Sequence, residues 1–176
     1  NSLHGGLVGF DKVVWTARPM ETAHGPALIL TYLSKDGEEG FPGNLQVTAI
    51  YTLTDDNALK LEFTAKTDRP TVVNLTHHSY WNLAGHHSGD VLRQVLTVHA
   101  DFYTSVDEQL IPTGEILKVA QSRFDFRNGA AIGHQDGRYD HNWIVRKTGP
   151  GLKPVAMLHD PDSGRVMEVR SSEPGV

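Results

Sequence analysis

Polar and aromatic residues that could act on a small molecule fall into three clusters along the chain, at residues 4–15, 74–85 and 139–143. Each cluster joins imidazole or carboxylate groups to aromatic rings. A sugar needs this mixture, because its hydroxyls require directional hydrogen-bond partners and its C–H faces pack on flat apolar surfaces. The three clusters lie far apart in sequence, so any shared site must be assembled by the fold.

The most prominent residues of these clusters also have purely structural interpretations. His4 precedes Gly5-Gly6 and could hydrogen-bond the backbone of that bend, while His78 could be a buried ring satisfied by a neighbouring carbonyl. Asp140 could be a turn residue before a strand at 143–146, since Asp favours turns. The residues alone leave both interpretations open for each of the three.

The ten histidines do not have the spacing of a metal site. Neighbours on an extended chain point to opposite faces, so the pairs at 77–78 and 86–87 cannot chelate through both rings. There is no His-x-His, and the Glu21-x-x-His24 pattern has no second ligand pair near it. We therefore predict no bound metal, and we interpret the histidines outside the three clusters as surface or loop residues.

Composition limits the function classes further. The 176 residues carry a net charge of −5 without a Lys/Arg cluster, so nucleic acid is not an expected partner. No run of about 18 apolar residues exists, so a membrane is not expected either. Cysteine is absent, which excludes disulfides and thiolate zinc sites. No leader opens the sequence, and we expect a cytoplasmic protein whose oligomeric state is not indicated.

Period-2 alternation of apolar residues is the main structural signal. Two alternating runs, at 44–53 and 59–65, flank Asp55-Asp56-Asn57 and predict a β-hairpin. Further strands are predicted at 12–17, 27–34, 71–76, 94–100, 154–159 and 166–170, with a long surface loop at 120–138. No convincing amphipathic helix interrupts them. The pattern predicts one all-β domain over residues 1–176, an antiparallel sandwich or barrel.

Several motifs together resemble the aldose 1-epimerase (galactose mutarotase) family. They are Asn-Ser-Leu-His-Gly-Gly at 1–6, Asp-Gly-Glu-Glu-Gly-Phe-Pro-Gly at 36–43, Asn-Leu-Thr-His-His-Ser-Tyr-Trp-Asn-Leu-Ala-Gly at 74–85 and Tyr-Asp-His-Asn at 139–142. The family often has Asn where His77 stands. The resemblance covers essentially the whole chain and implies an antiparallel β-sandwich of the galactose-mutarotase type (a supersandwich), of which this chain is the central portion.

The resemblance also implies roles for individual residues. His78 matches the family's general acid, which protonates the ring oxygen of a free hexose such as glucose or galactose. His4, Tyr80 and Asp140 match sugar-binding positions, whereas Trp81 is expected to pack in the core. No cofactor is implied, because neither an electron nor a group leaves the sugar.

One part of the family's machinery has no match in these residues. The general base is a glutamate in a C-terminal motif, and a sugar-binding arginine lies upstream of the first motif. None of Glu38, Glu39, Glu168 and Glu173 matches that base, so a chain of only these residues is expected to be a weak catalyst or inactive.

Three other functions compete with a free-hexose epimerase. A non-catalytic carbohydrate-binding or regulatory module would keep the aromatic cleft without the base. A hexose-6-phosphate epimerase would need Arg or Lys near the phosphate, and no basic cluster adjoins the motifs. A cupin-like metalloprotein would need the metal-ligand spacings that are missing.

Overall fold

The computed structural model describes residues 4–135, 137–146 and 149–176, which form two compact units divided between His78 and Ser79. The regular structure of these residues is almost entirely β, with a single 3-10 turn at Glu38–Gly40 and no α-helix in the described ranges. The all-β prediction is confirmed, whereas the single domain stays a prediction. The strands are β1 (Thr16–Thr22), β2 (Gly25–Ser34), β3 (Leu45–Leu53), β4 (Leu59–Thr67), β5 (Val95–Val98), β6 (Ala100–Val106), β7 (Pro112–Lys118), β8 (Ala130–Ala131), β9 (Trp143–Val145), β10 (Lys153–His159) and β11 (Val166–Ser171).

The first unit contains an antiparallel meander in the order β1-β2-β3-β4. The predicted hairpin is confirmed as β3 and β4, whose register runs from Leu45 opposite Thr67 to Leu53 opposite Leu59. The turn closes where the Thr54 amide donates to the Ala58 carbonyl at 2.8 Å. At the outer edge, β1 carries Pro19 opposite Leu28 of β2.

Alternation along the first half of β3 separates a buried face from a more exposed one. Leu45, Val47 and Ala49 are buried, and Val47 has no exposed surface, whereas the intervening Gln46 is exposed. Apolar side chains at every second position therefore fix the register of the meander, since a slip of one residue would turn all of them outward.

The second unit builds its core between two antiparallel sheets, one in the order β11-β10-β5-β8 and the other in the order β7-β6-β9. Aromatic residues dominate this core, with Phe124, Phe126 and Trp143 all buried. The indole N–H of Trp143 donates to the Phe124 carbonyl at 3.0 Å, so the ring's one polar group is satisfied inside the core.

Several strand predictions were wrong in extent or existence. Residues 71–76 form no strand within the described chain, and their β-branched Val72 and Val73 are exposed rather than paired. β1 begins at Thr16 instead of residue 12, and residues 94–100 contain β5 and only the start of β6. β6 and β7 were not predicted as strands. The predicted loop at 120–138 contains the two-residue β8.

No helix in the part of the chain that the structure describes is both long enough and apolar enough to cross a membrane.

Burial distinguishes two phenylalanines of the second unit, which gives a test of the core. Phe126 is 1% exposed, whereas Phe102 on β6 is 39% exposed. We expect Phe126→Ala to lower the free energy of unfolding by about 3–5 kcal/mol, because it removes apolar burial and leaves a cavity. Phe102→Ala should cost clearly less in the same equilibrium urea titration, and equal losses would contradict this description of the core.

Candidate functional site

His4 and His78, predicted to bind sugar and to act as general acid, lie together in the first unit. Their ring centroids are 5.4 Å apart with the planes nearly perpendicular. His4 comes from a tight turn before β1, and His78 from the extended segment that follows β4. Both side chains are exposed, so the interpretation of His78 as a buried structural ring was wrong.

The neighbouring His77 points to a different partner. Its ring packs on Tyr51 of β3 with a centroid separation of 5.7 Å. His78 thus contacts His4, while His77 contacts the meander. The two histidines are therefore chemically distinct positions.

The turn that carries His4 is held by a carboxylate from another loop. Glu39 accepts hydrogen bonds from the backbone amides of Leu7 at 2.8 Å and Val8 at 3.1 Å. The backbone of His4 itself has a φ of 54°, in the left-handed region, which His tolerates better than β-branched residues. At the C-terminal end of the turn, the Lys12 backbone amide donates to the Gly9 carbonyl at 2.9 Å.

An aromatic trio lies directly after this turn. Phe10, Trp15 and Tyr32 pack with centroid separations between 5.6 and 5.9 Å, and the Trp15 indole donates to the Phe10 carbonyl at 2.9 Å. The Tyr32 hydroxyl donates to the Glu38 carboxylate at 2.9 Å. Burial, followed by the hydrogen bond and charge of Glu38, raises the pKa of Tyr32 above its ordinary value. The trio thus joins the turn to β2.

Tyr80 belongs to the second unit and is 92% exposed. The chain after it is anchored by Gln94, which is only 2% exposed and donates to the Asn82 side-chain oxygen at 2.8 Å. Trp81 is 48% exposed, so the expectation that it packs in the core was wrong. Two large aromatic rings, Tyr80 and Trp81, are therefore exposed to solvent directly before the anchored residue Asn82.

Asp140 is exposed between two residues that the aromatic core of the second unit holds in place. On one side, the Tyr139 hydroxyl donates to the His134 carbonyl at 2.9 Å, and the Arg123 guanidinium lies 5.5 Å from the centre of the Tyr139 ring. On the other side, the His141 ring packs 4.4 Å from that of Phe124. A carboxylate on such a backbone is available to a ligand without losing its position.

His141 is shifted toward its neutral form. Burial, and after it the charge of Arg123, lowers its pKa, while Asp140 acts in the opposite direction. Its Nδ1 accepts the backbone amide of Asp140 at 3.3 Å, which requires that nitrogen to be unprotonated. Protonation of His141 would therefore remove a contact to the backbone of the predicted sugar-binding residue.

An ion-pair network lies along β6 and its neighbours. Arg146 donates to both Asp101 oxygens at 2.7 and 2.6 Å, and Arg127 forms the same two-point contact with Asp125 at 2.8 Å. Arg127 also reaches Asp101 at 3.4 Å. The hydrogen bond from Arg146 is the main reason that the pKa of Asp101 lies below its usual value. This network joins the segment before β8 to the end of β9.

The described part of the chain contains surface cavities but no metal-ligand cluster. Within the described ranges, no group of three or more His, Asp or Glu side chains could hold a metal ion. Two surface cavities of about 230 and 260 Å³ lie in the second unit, and none of His4, His78, Tyr80 or Asp140 lines them. The candidate site residues are therefore described unit by unit, His4 and His78 in the first and Tyr80 and Asp140 in the second.

Sequence reasoning missed the residues that position the site. From sequence, Glu39 has no role beyond its mismatch with the family's base, and Gln94 is simply the first residue of the strand predicted at 94–100. The only available signal for Glu39 was its place in the Asp36–Gly43 motif, because a carboxylate that accepts loop amides has no sequence periodicity. Gln94 gave no signal, since a polar side chain buried by tertiary contacts resembles an exposed one in sequence.

The lowered pKa of His141 predicts a pH dependence of stability. The unfolded chain takes up the proton near pH 6.5, before the folded chain does, so the stabilisation is present above that pH and is lost as pH falls toward the folded pKa. We expect His141→Phe, which keeps a ring against Phe124, to lose less stability than wild type between pH 7.5 and 5.5 in urea unfolding. His24→Gln, at an exposed turn histidine, is the control, and parallel pH profiles for wild type and His141→Phe would contradict the assignment.

Comparison with known proteins assigns the chain to a family. The profile described as Aldose 1-epimerase matches residues 1–176. Galactose mutarotase from Bos taurus is 43% identical over 182 residues, covering 100% of this chain and 51% of the relative. Aldose 1-epimerase from Escherichia coli is 37% identical over 185 residues, again covering all of this chain and 52% of the relative. The chain thus spans about half the length of the curated relatives it matches.

Solved structures agree with this match. A GalM/aldose epimerase homologue from C. elegans superposes with a TM-score of 0.86 at 28% identity, covering 99% of this chain and 53% of that one. Galactose 1-epimerase from Lactobacillus acidophilus superposes with a TM-score of 0.79 at 32% identity, covering 90% and 48%. These likenesses confirm the predicted antiparallel fold of the galactose-mutarotase type, and the chain belongs to the aldose 1-epimerase family.

Proposed function

We propose that the protein containing this chain is an aldose 1-epimerase that interconverts the α and β anomers of free hexoses such as glucose and galactose. The observation that carries the proposal is the contact between His4 and His78. These are two exposed imidazoles from separate segments, and their ring centroids are 5.4 Å apart. The match of the family profile over residues 1–176 supports the same reaction.

The chemistry requires one proton donor and one proton acceptor. His78 is the general acid: it gives a proton to the ring oxygen as the C1–O5 bond breaks, while a carboxylate base takes the proton from the C1 hydroxyl. The open-chain aldehyde rotates about C1–C2, and reversal of the two proton transfers closes the ring on its other face. Imidazole suits this work because its ordinary pKa lies near the operating pH.

Three further residues bind the sugar in this proposal. The Asp140 carboxylate accepts hydrogen bonds from hydroxyls, and charge-assisted bonds of this kind are stronger than neutral ones. Tyr80 offers a hydroxyl and a ring face, and His4 offers a ring nitrogen beside His78. The exposure of Tyr80 and Asp140 on anchored backbone supports these roles.

The carboxylate base is not among the residues that match the family's motifs. Glu38 and Glu39 bond to the Tyr32 hydroxyl and to loop amides, which fits structural work better than proton abstraction. We therefore propose that the 176-residue chain alone is a weak catalyst or inactive and that the full-length protein is active. Residence in the cytoplasm stays a prediction.

Polarimetry of freshly dissolved α-D-glucose and α-D-galactose tests the reaction directly. We expect the full-length protein to accelerate the approach to anomeric equilibrium, and the His78→Asn variant to lose about 10²–10⁴-fold in kcat, because it removes the proton donor. His77→Asn is the matched control, since it makes the same change at the ring that contacts Tyr51 instead of His4.

The outcomes of this experiment separate the competing functions. Near-wild-type turnover by a folded His78→Asn variant would refute the catalytic assignment. If the full-length protein binds hexose but accelerates nothing, the non-catalytic carbohydrate-binding module becomes the better account.

The role of Asp140 gives a separate prediction. We expect Asp140→Ala to raise KM for the hexose by about 10–100-fold, the equivalent of one lost hydrogen bond to a charged group. Asp162→Ala, at an exposed aspartate paired with Arg93, removes the same group elsewhere in the second unit and should leave KM unchanged. The measurement is initial rate against sugar concentration, and equal KM values for the two variants would refute the binding role.

A further inference from the structure

The turn at residues 4–9 depends on one side chain from a distant part of the first unit. Glu39 uses each of its two carboxylate oxygens for one of two successive amides, those of Leu7 and Val8, at 2.8 and 3.1 Å. The two amides need such an acceptor to hold one conformation, because a tight turn leaves backbone donors without strand partners. A charged acceptor makes both hydrogen bonds stronger than neutral ones.

The backbone opposite this carboxylate has no room for a side chain. Gly6 has a φ of 115°, and a Cβ at this position would collide with the Glu39 carboxylate. Gly9 has a similar restriction, since a Cβ there would collide with the His4 carbonyl oxygen. Gly6 therefore allows the approach that the carboxylate bonds require, and Gly9 allows the turn to close against the His4 carbonyl.

Glu39 is itself placed with unusual geometry. It lies inside the 3-10 turn Glu38–Gly40 with a φ of 50°, which directs its side chain differently from that of Glu38. Glu38 instead accepts the hydroxyl of Tyr32 at 2.9 Å. Two adjacent carboxylates of one turn thus serve two separate partners.

We infer that Glu39 is a positioning residue for the site: by holding the amides of Leu7 and Val8, it fixes the turn from which His4 reaches the ring of His78. The inference rests on the proposed function, in which His4 binds the sugar and His78 transfers the proton. Loss of the carboxylate should therefore disturb sugar binding more than proton transfer, since the hydrogen bonds described for Glu39 go to the turn that carries His4.

The test compares Glu39→Gln with Glu38→Gln in the full-length protein. Both variants remove one negative charge from the same turn, but only Glu39→Gln places an amide group against two backbone donors. We expect Glu39→Gln to raise KM for galactose by about tenfold with kcat nearly unchanged, because charged hydrogen bonds of this strength are lost. Glu38→Gln should change KM much less, because Tyr32 can still donate to the remaining oxygen.

A second variant tests the same contact from the turn. Gly6→Ala puts a methyl group where the carboxylate lies, so it should raise KM as Glu39→Gln does, and the double variant should be little worse than either single one. Gly37→Ala is the control for left-handed backbone strain, since Gly37 has a φ of 87° with open space around it. Additive effects of Gly6→Ala and Glu39→Gln would overturn the inference.

Amide hydrogen exchange separates this inference from the proposed function. We expect the amides of Leu7 and Val8 to exchange about tenfold faster in Glu39→Gln than in Glu38→Gln, whether or not the protein is an epimerase. Faster exchange with an inactive wild type would refute the proposed function and leave the turn contact intact. Equal exchange in both variants, or a Glu39→Gln variant that lowers kcat without changing KM, would overturn the positioning role.

Discussion

Backbone amides in a loop have no ladder partner, so a loop keeps one shape only if other groups accept its hydrogen bonds. None of His4, His78, Tyr80 and Asp140 lies on a strand. Their placement therefore depends on side chains that bond to loop backbone or pack against it. In the first unit Glu39 does this for the turn of His4, and in the second unit Gln94 fixes the segment after Tyr80. Glu39 and Gln94 themselves lie in the connections between strands.

The two units position their loops with different interactions. The turn of the first unit relies on a charged acceptor and on an aromatic trio at its base. The second unit uses a buried aromatic core, in which Phe124 contacts both Trp143 and His141, and Asp140 lies in the short segment between Tyr139 and that core. The ion pairs around Asp101 lie at the surface of this unit, where two-point geometry rather than burial makes them useful. The exposed Asp140 is thus flanked by residues that pack against a buried aromatic core.

Sequence reasoning was most successful where one local rule decided the structure. The β3–β4 hairpin followed from alternation around an Asp/Asn turn, and its register is set by the buried face that contains Val47. Residues 71–76 have equally good β-propensity, yet propensity alone does not supply a partner strand. β7 was missed for the opposite reason: every residue of Pro112–Lys118 is exposed, so apolar alternation is absent and pairing with β6 alone defines it.

The four candidate site residues came from motifs, whereas Glu39 and Gln94 act through tertiary contacts that no local pattern encodes.

Two of the prolines within strands affect how the sheets can pair with other chains. Pro19 lies in the middle of β1, at the edge of the four-stranded meander, and Pro154 lies in β10 where the register with β11 shifts. A proline offers no N–H to an incoming strand, so a second strand pairs poorly with an edge that contains one. The outer edge of β1 can thus be exposed to solvent and still resist the edge-to-edge joining of sheets that leads to fibrils.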